Sequence, residues 1–256
     1  MAACITMIII AMDYANGTLN SQMAISEFTS NKQFMVTTGQ QMDSVAWTLG
    51  ATQTVTYSTR FGSLSFNDSA LDYSIAVYSG SGWVNFTAPA TGVLLYNMPV
   101  SSVSLGNNYF ERVPVDANSS FLQSGASAPV SQVFCEEQLT GGSHAYTRIA
   151  MVPTIRMFNS TIMGSPPTSY YKFYLPYLDH FSTMTTSSPS VTLTGENVTK
   201  VAATGVTKII INAVPNVAQG FSSTFYNFKS NSVTLTIPNS VVEFYFGGVQ
   251  VTEGCS

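Results

Sequence analysis

The strongest constraint on this chain is its apolar start. The first twelve residues, MAACITMIIIAM, contain one hydrogen-bonding side chain, Thr6, and no charge, and the first charged residue is Asp13. The run is shorter than the ~20 residues that a membrane-spanning helix needs. It is also too apolar to lie in water without a free-energy cost. The segment must therefore be buried, either in the core of its own domain or against another molecule.

Apolar residues continue to recur at helical spacing beyond this run, which predicts one long helix over residues 1–49. Leu49-Gly50 is the expected C-terminal cap. Kinks or breaks are expected at Asn16-Gly17 and at Gly39, since glycine costs about 1 kcal/mol against alanine in a helix. A helix of this length, apolar at one end and amphipathic at the other, is typical of a segment with partners at both ends. The residues that carry the spacing are Ile8, Met12, Leu19, Met23, Phe34, Met42, Val45 and Leu49.

The rest of the chain, residues 50–256, reads as a β-rich head domain. Segments such as TQTVTYST, YSIAVYS, GVLLYNM and SVTLTIP alternate apolar and polar residues, and turn residues separate them. Short strands at this spacing predict an antiparallel β-sandwich or barrel-like head. The fold class is therefore mainly β, with a long N-terminal α-helix. The stretch DHFSTMTTSSPS, residues 179–190, is predicted to be a long exposed loop.

The composition indicates an extracellular or cell-surface protein. Charged residues make up 9% of the chain, and polarity comes from 33 Ser, 29 Thr and 16 Asn, whereas ordinary domains carry about 25% charged residues. No basic leader or cleavage site precedes the apolar run, so we expect either a processed chain or a start upstream of Met1. Six Asn-x-Ser/Thr sequons agree with secretion, and Asn16, inside the predicted helix, is the least suited to a glycan. The five candidates in the head are Asn67, Asn85, Asn118, Asn159 and Asn197.

The sequence offers no catalytic or cofactor-binding motif, so we expect no enzyme activity, no cofactor and no metal ion. Ser143 or His144 could meet Asp179-His180 in a hydrolytic or metal site, but nothing in the spacing requires it. Glu136-Glu137 would point to opposite faces of a strand and are expected at a solvated strand end. The aromatic segment YYKFYLPYL suggests either a sugar-stacking platform or, more commonly, a packed β core. A net charge of −4 without a basic stripe argues against nucleic acid as a partner.

Several stretches resemble a family of archaeal cell-surface proteins of the type IV pilin kind. They are QFMVTTGQQMDSVAWTLGATQTVTYSTRFGSLSF, GVLLYNMPVSSVSLGNNYFERV, RIAMVPTIRMFNST, YYKFYLPYL and SVVEFYFGGVQVTEG. The resemblance implies a hydrophobic N-terminal helix that packs in a filament core and an often N-glycosylated β-rich head that faces outward. The apolar stretch here is shorter than the usual one, and the basic leader of the family is absent.

The resemblance implies that the chain is a structural subunit of an extracellular pilus-like filament. Its main partner would be itself, in a homopolymer, with the membrane holding the helix before assembly and with surface glycans or other cells as further partners. The alternatives are a membrane-anchored surface or adhesion module, a viral or shell-forming β-protein, and an enzyme. The residues expected to interlock in the filament core are Ile5, Met7, Ile8, Ile9, Ile10 and Met12.

The chain has three cysteines. Cys4 lies in the apolar run and is expected to be a small buried side chain. Cys135 and Cys255 are a candidate disulfide, since an oxidising extracellular setting would favour a bond that ties down the last strand. Three unpaired thiols are the alternative.

Overall fold

The computed structural model describes residues 2–114, 119–138, 145–164 and 168–255. One long helix, α1, is followed by eleven strands, a short helix, α2, and a twelfth strand. The helices are α1 Ala2–Val45 and α2 Ser223–Tyr226, with a 3-10 turn at Val217–Gln219. The strands are β1 Thr52–Thr56, β2 Ser63–Ser79, β3 Gly82–Thr87, β4 Thr91–Pro99, β5 Phe110–Val113, β6 Leu122–Ser124, β7 Ser131–Gln138, β8 Tyr146–Pro153, β9 Ile155–Ile162, β10 Thr168–Thr185, β11 Ser190–Pro215 and β12 Ser232–Cys255.

The twelve strands belong to one continuous sheet. Its main order is β5-β7-β8-β4-β2-β11-β12-β10-β9-β6, with β1 paired to β11 and β3 paired to β2. The β10/β12 and β6/β9 pairs are parallel, and the other pairs are antiparallel. The prediction of a mainly β chain with a long N-terminal helix is therefore confirmed. The hydrogen-bonded pairs of the described strands form one open path rather than two separate sheets.

Several strands are much longer than the sequence pattern predicts. SVTLTG and TKIIINAV lie on the single 26-residue strand β11, and SVTLTIP lies on the 24-residue strand β12. Long strands remain possible because shifts in register interrupt the pairing, for example between Ala203 and Val206 in β11. Pro238, which cannot donate to a ladder, lies in the same irregular stretch of the β11/β12 pairing. The predicted loop over 179–190 was wrong, because β10 continues to Thr185.

Both faces of the sheet are covered, because neighbouring residues on β4, β7 and β8 enter different cores. Leu94 and Tyr96 on β4 belong to a core beneath α1, which we call the helix-side core. Val93 and Leu95, between and beside them, belong to a second core, which we call the inner core. The alternation follows from the two-residue period of a strand. The inner core also contains residues from β2, β10, β11, β12 and α2.

Helix α1 is unbroken from Ala2 to Val45, so the breaks expected at Gly17 and Gly39 do not occur. It also ends four residues before the predicted cap at Leu49. Turns follow over 46–50, where Gly50 adopts φ 75°. The amide of Gly50 donates to the carbonyl of Gly195 at 2.8 Å, so this glycine leads the chain onto β11 rather than capping the helix.

Candidate functional site

The candidate site is the first part of α1. Every residue of 6–22, which we call the projecting segment, is exposed to solvent. Met7 is 73% exposed and Ile9 is 60% exposed, although both side chains are apolar. Three further residues that are predicted to interlock in a filament core are also more than half exposed: Ile8, Ile10 and Met12. The side chain of Ile5 lies outside the described residues.

Of the two alternatives for this apolar start, burial in the core of its own domain does not hold for the projecting segment. Scattered surface apolar residues are ordinary, whereas a contiguous exposed apolar surface, such as that of residues 7–12, marks an interaction site. Fully burying one aliphatic side chain contributes roughly 1.5–3 kcal/mol relative to leaving it in water. The arrangement can thus supply a large association free energy to whatever covers it.

The remainder of the helix, residues 23–45, which we call the anchored segment, is fixed to the head by a buried carboxylate. Glu27 accepts hydrogen bonds from the backbone amides of Arg60 at 3.1 Å, Phe61 at 2.9 Å and Gly62 at 3.3 Å. The hydroxyl of Tyr96 donates to the same carboxylate at 2.5 Å. Burial and this bond to Glu27 raise the pKa of Tyr96, so that its hydroxyl stays protonated and donating.

A second polar clamp lies one turn further along the anchored segment. The side-chain amide of Asn31, which is fully buried, donates to the carbonyl of Ser58 at 2.9 Å, and its oxygen accepts from the amide of Ser58 at 3.2 Å. Two ion pairs also join the helix to the sheet at 2.7 Å, Lys32 to Glu111 and Asp43 to Arg156. These contacts fix the position of the helix along its axis as well as its distance from the sheet.

Glycines allow the anchored segment and the turn after it to approach the sheet closely. A Cβ atom built on Gly39 would lie 2.2 Å from Ser131 Oγ, and one built on Gly247 would lie 2.5 Å from the carbonyl oxygen of Ala46. Gly195 has the same relation to the carbonyl oxygen of Val45, at 2.3 Å. Gly39 therefore serves close packing against β7, which explains why it does not end the helix. The apolar residues packed here are Ala24, Phe28, Phe34, Met35, Met42, Val45 and Ala46.

Comparison with other proteins does not assign this arrangement to a known family or fold. No protein family, characterised protein or solved structure matches the chain. Among the described residues, no helix combines the length and the apolarity that a membrane span requires. The geometry of α1 and the chemistry of its side chains therefore carry the functional argument.

The structure brings together only some of the residues that the sequence suggests for a hydrolytic or metal site. Asp179 and His180 are adjacent in space, with Asp179 Oδ2 3.3 Å from His180 Nδ1, whereas Ser143 and His144 lie outside the described residues. The cluster gains Glu196, whose Oε2 lies 3.8 Å from His180 Nδ1. Sequence reasoning missed Glu196, because 16 residues separate it from His180 and no local motif joins them.

Glu136 and Glu137 have separate partners, as expected of neighbours on a strand. Glu137 accepts from the amide of Gly106 at 3.0 Å and from the hydroxyl of Ser104, whereas Glu136 pairs with Arg148 at 3.5 Å. Burial raises the pKa of Glu136. The expectation of a solvated strand end was wrong, because both carboxylates are largely removed from water.

Three aromatic residues of the β10 segment are packed against other side chains: Phe173, Tyr174 and Tyr177. Phe173 and Tyr177 belong to the inner core. Tyr174 is stacked between Phe158, at 5.6 Å, and Tyr245, at 4.9 Å, so its two faces are occupied. A sugar ring stacks on an uncovered aromatic face, and the stacked row at Tyr174 does not offer one.

Cys135 is a free thiol and is fully buried in the helix-side core. Burial raises its pKa to about 12. The side chains of Cys4 and Cys255 lie outside the described residues. The candidate disulfide between Cys135 and Cys255 therefore lies partly outside the described residues and stays a prediction.

The sequons differ in accessibility. Asn16, Asn85, Asn159 and Asn197 are exposed, Asn67 is half-buried, and Asn118 lies outside the described residues. Asn85 lies on β3, which pairs only with β2 within the described sheet. Asn197 lies on β11, and its side-chain oxygen accepts from the hydroxyl of Tyr177 at 2.9 Å. Asn85 and Asn159 are therefore the best placed of the described candidates.

Proposed function

We propose that this chain is a structural subunit of an extracellular pilus-like filament, which polymerises through the projecting segment of α1. The observation that carries the proposal is the contrast within one helix: its second part is locked to the head, whereas its apolar first part has no cover within the described chain. Copies of the same segment would cover one another around a filament axis.

The chemistry of the segment favours other copies of the chain as its cover. Its apolar residues occur on all sides of the helix, which is typical of a helix buried in a large core or in lipid. Among the described residues, the helix does not combine the length and apolarity of a membrane span. Lipid would therefore be its environment only before assembly. A fibre core would then replace lipid without exposing apolar area to water.

We further propose that the head is a sandwich-like shell around the inner core. The first part of β2 pairs with β4 and its second part with β11, and the change occurs between Asn67 and Leu71. Strands β4 and β10 contact each other although they are not neighbours in the sheet. Such a shell, poor in charge and rich in hydroxyl groups, suits the outer surface of a filament, where glycans at Asn85 and Asn159 would add hydration.

The assembly proposal is tested by placing a charge on the projecting segment. Ile9→Asp should abolish polymerisation while the head still folds, because an unpaired buried charge costs several kcal/mol in every subunit. Ile162→Asp is the matched control, since Ile162 is an equally exposed isoleucine, 59% against 60%, but lies on β9 of the head. Negative-stain imaging of native and variant preparations gives the readout.

Deletion of residues 1–15 should have the same effect as Ile9→Asp. Fibres of normal diameter from either variant would overturn the proposal, and equal loss of assembly with Ile162→Asp would move the main contact to the head. Closed shells from the wild-type chain would favour the shell-forming alternative. Monomers that bind vesicles through the projecting segment would favour the membrane-anchored module.

The glycosylation part of the proposal has its own test. Intact-mass measurement of native protein should exceed the polypeptide mass, and glycopeptides should include Asn85 or Asn159. A native mass equal to the bare polypeptide would remove glycan from the proposal without affecting the assembly model.

A further inference from the structure

Three metal-ligating side chains converge on β10 and β11. They are Asp179, His180 and Glu196, whose potential ligand atoms all lie within 4.8 Å of one another. The same ring nitrogen, His180 Nδ1, lies 3.3 Å from Asp179 Oδ2 and 3.8 Å from Glu196 Oε2. His180 is exposed and the two carboxylates are half-buried, so the cluster is open to solvent on one side.

The convergence depends on two irregularities in the sheet. Strand β12 runs between β10 and β11, and Leu178 of β10 and Gly195 of β11 both pair with the same β12 residue, Val249. The register shifts directly after each of these residues: Phe181 is the next paired residue on β10 and Asn197 the next on β11. The three clustered residues are therefore the ones inserted at two β-bulges on either side of β12.

Regular strands would not bring these groups together. Strands separated by one other strand lie roughly 9.5 Å apart, at about 4.8 Å per step. A bulge bends a strand and turns the inserted side chain away from its regular direction. Two bulges at the same level of β12 thus bring a β10 imidazole and a β11 carboxylate to within 4 Å of each other.

Among the described residues, no lysine or arginine forms an ion pair with the cluster. Elsewhere on the sheet, Glu111, Glu136 and Glu243 each pair with a lysine or arginine. Among the ion pairs of the described residues, Asp179 and Glu196 have only the imidazole of His180. The two carboxylates carry charges of the same sign, and a divalent cation bound between them would offset their repulsion.

We propose that Asp179, His180 and Glu196 bind a divalent first-row transition metal ion, with Zn²⁺ as the reference ion. Zinc takes imidazole nitrogen and carboxylate oxygen at about 2.0–2.2 Å, so two ligand atoms at a tetrahedral angle lie roughly 3.3–3.6 Å apart. In the structure, His180 Nδ1 lies 3.3 Å from Asp179 Oδ2 and 3.8 Å from Glu196 Oε2, close to that range. The imidazole ligand favours zinc and its neighbours over Ca²⁺ and Mg²⁺, which prefer all-oxygen sites.

With three protein ligands, the site retains an open coordination position. A water molecule or a side chain of a neighbouring molecule could take it. The exposure of His180 places that position towards the outside of the head. The site is independent of the projecting segment, so the metal proposal does not rest on the filament proposal.

The test is a Zn²⁺ titration of the full chain in detergent, after removal of metal by a chelator and alkylation of accessible thiols. Competition with a chromophoric chelator should give one saturable site per chain. His180→Ala and Glu196→Gln should each weaken binding at least tenfold. His144→Ala and Asp68→Asn are the controls, since they remove the other histidine and an exposed carboxylate of the head, and both should leave the affinity unchanged.

Binding without a saturable one-to-one site would overturn the proposal, as would an unchanged affinity in Glu196→Gln. An equal loss with His144→Ala would indicate scattered surface coordination and would also overturn it. Displacement of Zn²⁺ by an equal concentration of Ca²⁺ would contradict the assignment to a transition metal. Substituting Co²⁺ gives a second readout, since its visible absorption should be lost in His180→Ala and kept in His144→Ala.

Discussion

The two segments of α1 have the same backbone conformation but opposite environments. In the projecting segment, apolar side chains such as Met7 and Ile9 face solvent. In the anchored segment, the polar side chains of Glu27 and Asn31 are buried, and the backbone of residues 58–62 satisfies them. Polarity and burial are thus reversed only in the projecting segment, whereas the anchored segment buries its apolar side chains and, beside them, these two polar ones.

This reversal indicates a division of roles along the helix. The buried carboxylate and amide fix one position of the helix on the head, because a hydrogen-bonded network has few alternative arrangements. The exposed apolar segment is positioned by that rigid attachment. A filament subunit needs both properties, since contacts at the axis transmit force to the head only through a fixed joint.

The largest expected difference between the segments is in packing energy. Met35→Ala in the anchored segment should lower the free energy of unfolding by about 2–5 kcal/mol, because Met35 is fully buried in the helix-side core. Met7→Ala in the projecting segment should change it by less than about 0.5 kcal/mol in the unassembled subunit. Denaturant unfolding of monomer in detergent measures both. Equal losses in the two variants would contradict the division of the helix into two segments.

A smaller effect is expected from the polar clamp. Glu27→Ala should cost about 1–3 kcal/mol, because three backbone amides and the hydroxyl of Tyr96 lose their acceptor. Asp13→Ala is the matched change in the projecting segment and should be close to neutral in the monomer. Hydrogen exchange of the amides of 60–62 should accelerate in Glu27→Ala alone. Unchanged exchange at these amides would mean that the carboxylate does not hold this loop.

The smallest effect concerns pH. Hydrogen bonds from Lys32 and then from Tyr109 lower the pKa of Glu111. The folded pKa lies below the unfolded one, so the stabilisation is complete above the unfolded value near pH 4.5 and is lost as the pH falls through the lower folded value. Glu111→Gln should remove this acid-side dependence and cost about 0.3–1 kcal/mol at neutral pH. A wild-type slope retained between pH 5 and pH 3 in the variant would assign it to other carboxylates.

Part of the secondary structure was predictable from sequence patterns. The helical spacing of the anchored segment is visible because one of its faces is buried in the helix-side core. The segment TQTVT corresponds to β1, and GVLLYNM lies on β4. The lengths of β10, β11 and β12 were not predictable, since bulges keep strands continuous through residues that read as turns. Residues 181–185 look like a loop in the sequence because three of their side chains carry hydroxyl groups, yet they pair with β12 up to Cys255.

The candidate site was predicted in part. The apolar residues from Met7 to Met12 were identified because a charge-free run is visible in the sequence itself. Glu27 and Asn31 were not identified, because a single acid or amide in a helix carries no local signal of burial. Their partners at residues 58–62 are about 30 positions away. Glu196 escaped prediction for the same reason, since only the sheet register brings it to His180.

The central place of β12 affects the order in which the head can form during synthesis. This strand follows all the others in the chain, yet it pairs with β11 on one side and β10 on the other. The ribosome delivers residues from the N-terminus at about 5–20 per second, so β10, which ends at Thr185, is complete roughly 3.5–14 s before β12, which ends at Cys255. Until then α1 has an incomplete platform, and its apolar end is already outside the ribosome. If the chain is the proposed filament subunit, its nascent form would need an apolar host for α1 before the head exists.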